Sequence, residues 1–252
     1  MPPPLFHPTL PVDATELMRV SEFEREQGSP PAQAAEVAAG TTRLSALNPS
    51  LLQDLTRSLP ADGGALDILE ALAAALRHRR ALRLHLQLAY QVIPLTVWPD
   101  EREMQSPLSL VHWLALPLPE LRLLRVEPAP RRAAPAPDGG PGGAEPAALT
   151  APIGPLLWEL ALRGARAGLL REIDGVAAYR VAPGADLRAV DVAGLLGGTL
   201  ADAVQGLRRQ ARPLREIAAW PGFDRERAIR LLNALYLHGA LMISRGHPAA
   251  LA

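Results

Sequence analysis

The stretch Pro213-Leu-Arg-Glu-Ile-Ala-Ala-Trp-Pro-Gly-Phe-Asp-Arg-Glu-Arg-Ala-Ile-Arg-Leu-Leu-Asn-Ala-Leu-Tyr-Leu-His238 decides how this chain is read. A short helix stops at Pro221-Gly222, and a long one starts after Asp224. The Asp224 carboxylate suits that start because it accepts from free first-turn amides and faces the positive helix end. Ala228, Leu231, Leu232 and Leu235 share one face as a buried stripe, with Ile229 and Tyr236 at its edge. Glu226, Arg230, Asn233 and Leu237 lie opposite, so the spacing predicts a polar flank open to a partner. Gly239 supplies the left-handed residue that ends the helix, and Ala240-Leu-Met-Ile-Ser244 reads as a strand.

This order of short helix, Pro-Gly break, long helix, glycine stop and strand resembles the winged-helix superfamily, whose members bind DNA or other proteins. Leu195 to Gln210 reads as a helix despite Gly197, Gly198 and Gly206, and would be the first of its three helices. The stretch from about 153 to 245 is also similar to bacterial PATAN-type signalling modules, on the ending Ile229-Arg-Leu-Leu-Asn-Ala-Leu-Tyr-Leu-His-Gly239. Those modules join a small α+β unit to a terminal winged-helix-like element and accompany small-GTPase or receiver-domain signalling. The resemblance carries over no functional residues.

Arginine can fork onto guanine and asparagine onto adenine, so Arg225, Arg230 and Asn233 are candidate base contacts. From Leu207 to His247 there are eight arginines and three acids, an excess of five positive charges on a chain of zero net charge. That segregation favours a polyanion surface. Against it, Glu226 repels phosphate, Leu237 makes a poor phosphate contact, and Arg245-Gly-His-Pro248 leaves little room for a second wing strand. Trp220 and Phe223 at the turn read as staples between helices.

Of the 252 residues, 48% are apolar, enough for one large domain or two smaller ones with real cores. There is no cysteine, which excludes disulfides, thiolate nucleophiles and cysteine zinc sites. All 26 basic residues are arginine. Without lysine there is no P-loop lysine, Schiff-base lysine or Ser-Lys pair. Arginine-only usage with abundant Ala, Leu, Pro and Gly fits a GC-rich bacterial genome. Met1-Pro-Pro-Pro-Leu-Phe-His-Pro8 lacks the charged and apolar regions of a signal peptide. No apolar run nears the ~20 residues of a membrane span, and the expected location is the cytoplasm.

Residues 1–61 read as a partly ordered acidic region, with a short helix near Thr15–Glu26 and an Ala-rich stretch from Ala32 to Ala39. Residues 62–128 read as an α+β domain. A helix runs over Asp67–Leu76, and the period-two run of Leu82, Leu84, Leu86 and Leu88 marks a strand. Pro94 bends the chain before a second strand, Leu95–Trp98. Ser106 caps a helix through His112 and Trp113, and Leu121–Val126 is a third strand. Residues 129–152, rich in Pro and Gly, read as a disordered linker. Residues 153–252 read as the winged-helix-like domain, opening with a helix over Pro155–Leu162 and a strand or hairpin near Gly175–Val181.

Other features carry bland readings. The six histidines show no metal-binding helical spacing, and a site built from His78 and His85 competes with simple solvation. Arg77-His-Arg-Arg80 is a basic knot at a helix end, where cations meet the negative dipole. Gly139–Gly143 is linker, and Gly194–Thr199 only echoes a nucleotide loop. Asp100, Glu101 and Glu103 form an exposed acidic turn, and Trp98, Trp113 and Trp158 are core or interface anchors.

The sequence thus predicts an α+β chain: a small mixed N-terminal domain, a flexible linker and a helical C-terminal winged-helix-like domain. It predicts a non-enzymatic bacterial regulatory or adaptor protein that contacts another protein, with a DNA-binding transcriptional regulator as the alternative. Arg225, Arg227, Arg230 and Asn233 are the candidate macromolecule-binding residues. No cofactor, metal or catalytic residue is expected.

Overall fold

A computed structural model describes residues 17–28, 47, 49–57, 67–129 and 148–251. The Ala32–Ala39 stretch and most of the expected linker, 130–147, lie outside the described residues. The fold is α+β. Among the described residues, ten α-helices accompany a five-stranded and a three-stranded antiparallel sheet.

The first sheet grows from the leucine alternation. Strand β1 (Leu82–Leu88) turns all four leucines into the core, while Arg83, His85 and Gln87 face the other way. Strand β2 (Gln91–Trp98) is one continuous strand, not a bend followed by a strand. It tolerates Pro94 because β3 (Glu103–Ser106) pairs with it only from Thr96 onward, so a ladder bond is missing on that side anyway. Strand β4 (Arg122–Pro128) flanks β1, and β5 (Leu149–Pro152) flanks β3, in the order β4-β1-β2-β3-β5. The last four residues of the expected linker are therefore sheet. The acidic turn ends where Glu103 begins β3, opposite Pro152.

Helix α1 (Val20–Gly28) lays Phe23 over His85, ring centroids 4.9 Å apart, on the polar face of this sheet. Helix α2 (Pro49–Arg57) packs against α3 (Ile68–His78). The α3 N-cap is Asp67, accepting from Leu69 and Glu70 amides. Helix α4 (Leu110–Ala115) is capped by Ser109, which accepts from His112, rather than by Ser106. Ser106 instead accepts the Leu108 amide at 3.3 Å.

The remaining elements are α5 (Gly154–Arg163), β6 (Ala178–Val181), α6 (Arg188–Val192) and α7 (Thr199–Arg209). They continue with β7 (Arg212–Pro213), α8 (Leu214–Ala218), α9 (Arg225–Leu237), β8 (Leu241–Ser244) and α10 (Pro248–Leu251). The second sheet runs β7-β6-β8, so Tyr179 of β6 pairs with Arg212 on one side and Ile243 on the other. Leu84 and Trp113 belong to the same buried cluster as Trp158 and Leu232, so both halves share one apolar interior. Among the described residues, no helix is long and apolar enough to cross a membrane.

Candidate functional site

Helix α9 lies at the centre of the C-terminal half, packed against α5, α8 and α3. Its cap forms as read, with Asp224 accepting the Arg227 amide at 2.7 Å. Its leucine ridge is buried as expected. Gly239 takes a φ of 67° and lets the chain turn into β8.

On the opposite side of α9, Glu226 is exposed, but Arg230, Asn233 and Leu237 are covered or engaged. Asn233 is 0% exposed: its Oδ1 accepts the Leu170 amide at 2.8 Å, and its Nδ2 donates to the Gly168 carbonyl at 2.9 Å. Arg230 donates to the carbonyls of Leu162 and Gly164, both at 2.8 Å, and pairs with Glu226 at 2.7 Å. Leu237 is buried as well. The expected contact flank is thus corrected at Arg230 and Asn233, which bond the chain from 162 to 170, and at the buried Leu237. Arg230 and Asn233 satisfy backbone groups that this packing would strand. Neither reaches outward as a base reader.

The other two candidate residues differ from these. Arg225 is exposed. Arg227 donates to the Gly222 carbonyl at 2.6 Å and to Thr199 Oγ1 at 2.8 Å, with its guanidinium 5.1 Å from the Phe223 ring centre. It ties the α8–α9 turn to the start of α7.

That tie builds a groove the sequence reading did not single out. Trp220 and Phe223 meet edge to face, centroids 6.3 Å apart. Together with Thr199, Asp202, Ala203, Gly206 and Pro221 they enclose about 260 Å³. Gly206 seats the indole: a Cβ there would come within 3.2 Å of Trp220. The signal was available, because a glycine inside a helix costs stability unless something approaches closely.

Charged groups elsewhere are mostly committed to the fold. His78 and His85 do not converge; they meet Asp54 and Glu127 respectively, each at 2.9 Å. The Glu127 carboxyl is lowered from 4.5 to about 2, first by the His85 hydrogen bond and then by Arg125. Burial pushes the His238 pKa down, and the ring bonds the Gly154 carbonyl at 2.9 Å. Burial also raises the Glu70 carboxyl, although Arg166 pairs with it at 2.8 Å. Trp113 and Trp158 are fully buried, as anchors should be. Among the described residues, no three His, Asp or Glu side chains gather as a metal site.

No protein-family model, curated protein or solved structure matches this chain.

Proposed function

We propose that the protein is a non-enzymatic bacterial regulatory adaptor acting through protein contacts, with its C-terminal part as a winged-helix-like contact module. The order α7, β7, α8, α9, β8 follows the helix, strand, helix, helix, strand plan of such modules, and β6 from upstream takes the middle place in their sheet. One observation carries the reading. The groove-reading helix is bound into the interior through Arg230 and Asn233, while Trp220 and Phe223 wall an open groove at the surface.

Such a groove suits one apolar side chain from a partner protein. Burying a leucine-sized group there contributes about 1.5–3 kcal/mol, and tryptophan is a frequent anchor of protein interfaces. The test takes a partner recovered with the intact chain and purifies it. Trp220→Ala should weaken its binding at least about tenfold, and Arg225→Ala should leave it unchanged. Equal binding by the Trp220 variant would refute the groove as the contact.

A second reading, DNA binding, draws on the arginine excess between Leu207 and His247. Arg209, Arg215 and Arg225 are exposed and have no carboxylate partner among the described residues. In this reading they touch phosphates rather than bases. A gel shift that weakens steeply with salt and with Arg209→Ala/Arg215→Ala would favour it over the adaptor reading.

A further inference from the structure

A cleft of about 390 Å³ opens between the end of α3, the β2–β3 turn and the end of α9. Three arginines line it, Arg77, Arg79 and Arg102, against one carboxylate, the exposed Asp100. Two of the three stand in an unusual backbone state. Arg79 has a φ of 49° and Arg102 a φ of 57°, the left-handed region that side chains other than glycine avoid.

This chain has glycine available for that state and uses it. Gly239 does after α9 what Arg79 does after α3. Glycine also takes a positive φ at 175, 184, 194, 198 and 222. Among the described residues, Ala89 is the remaining non-glycine case, at the β1–β2 hairpin. The turns account for this backbone, so what marks Arg79 and Arg102 is that two long cations line one cleft at positions where glycine would serve the turn.

The backbone bonds at these turns need no arginine side chain: the Arg102 amide bonds the Pro99 carbonyl, and the Arg102 carbonyl accepts the Ile153 amide at 3.0 Å. The α3 end is closed by its own backbone: the Arg79 amide bonds the Leu76 carbonyl and the Arg80 amide bonds the Ala75 carbonyl. The α9 end is closed likewise, by the amides of Gly239 and Ala240. Arg77 is occupied, pairing with Glu172 at 2.8 Å, with Asp54, and with the Tyr236 hydroxyl. Arg79 and Arg102 have no side-chain hydrogen bond or carboxylate partner among the described residues. Both residues are exposed.

We propose that this cleft binds a small organic phosphate, held between the Arg79 and Arg102 guanidiniums, with its apolar body against Leu76 and Pro99. Planar guanidiniums bind phosphate oxygens through paired, charge-assisted hydrogen bonds. The volume lies in the range of small-molecule sites, roughly 300–1,000 Å³. Because the walls come from α3, the β2–β3 turn and α9, the bound molecule would clamp the two halves of the chain. This site is separate from the Trp220 groove and does not rest on the adaptor reading.

The test is calorimetric titration of the intact chain with AMP, pyrophosphate and citrate at matched ionic strength. AMP should saturate one site and bind more tightly than citrate. The Arg79→Gly/Arg102→Gly variant should lose at least about tenfold in AMP affinity. Its melting temperature without ligand should hold or rise, since glycine relaxes both left-handed residues. Absence of saturable binding by all three probes would overturn the proposal, as would undiminished AMP affinity in the variant. A lower melting temperature in the variant would overturn it too, by making the arginines structural. Citrate binding tighter than AMP would overturn the phosphate assignment.

Discussion

Asn233 Oδ1 accepts the backbone N–H of Leu170 at 2.8 Å and so pins the middle of α9 to a loop 63 residues upstream. The same amide donates to the Gly168 carbonyl, so both of its ends are used inside the protein. Truncation strands the buried Leu170 amide, while the exposed Gly168 carbonyl keeps its bond from Arg166 Nε at 2.9 Å. Asn233→Ala should therefore cost about 1–3 kcal/mol, read from urea unfolding. A variant within about 0.5 kcal/mol of the parent would show that the contact is unimportant.

Arg230 and Arg225 lie five residues apart on the same helix and should behave differently. Arg230→Ala removes two carbonyl contacts and the Glu226 pair, at a cost of about 1–3 kcal/mol. Arg225 is exposed, and its alanine variant should stay within about 0.5 kcal/mol of the parent. Equal costs at both positions would contradict the assignment of Arg230 to the interior.

Much of this was legible in the sequence, for physical reasons. Leu82 to Leu88 gave its strand because period two has one geometric meaning, and Asp224 and Gly239 gave both ends of α9 because caps are local chemistry. The flank was misread because helical spacing says which residues share a side, not what covers that side. A hint was present: between Ala228 and Leu237 only Arg230, Asn233 and Tyr236 are polar, and a helix apolar nearly all round is buried. Strand β5 escaped because Leu149–Pro152 holds no alternation strong enough to stand apart from its Pro-rich surroundings. The groove escaped because it joins Gly206 to Trp220, a contact set by tertiary packing.

Gly154 and His238 form a tight pair. A Cβ at position 154 would stand 2.9 Å from His238 Cε1, and the ring is held edge-on against Trp158 at 5.7 Å. Gly154→Ala should lose about 1–3 kcal/mol through overpacking. Adding His238→Ala should cost less in that background than in the parent. Additive losses would show that the two positions do not compete for space.

Glu127 sets an acid limb. Its folded-state value of about 2 lies below the ordinary 4.5, first through the His85 hydrogen bond. The unfolded chain therefore takes up the proton first as pH falls. The stabilisation is full above about pH 4.5 and is lost as pH drops toward 2, with an upper size of roughly 3 kcal/mol. Glu127→Gln should flatten the stability profile across that window. An unchanged slope would refute the coupling.

The absence of cysteine allows a direct probe of the covered flank. Single variants Asn233→Cys, Leu237→Cys and Arg225→Cys, labelled with a thiol reagent under native conditions, report which side of α9 water reaches. Cysteine at 225 should react like a free thiol, and cysteines at 233 and 237 should be slowed by about a hundredfold or more until the protein unfolds. Comparable rates at all three positions would mean that the flank is open, and would return Arg230 and Asn233 to the surface.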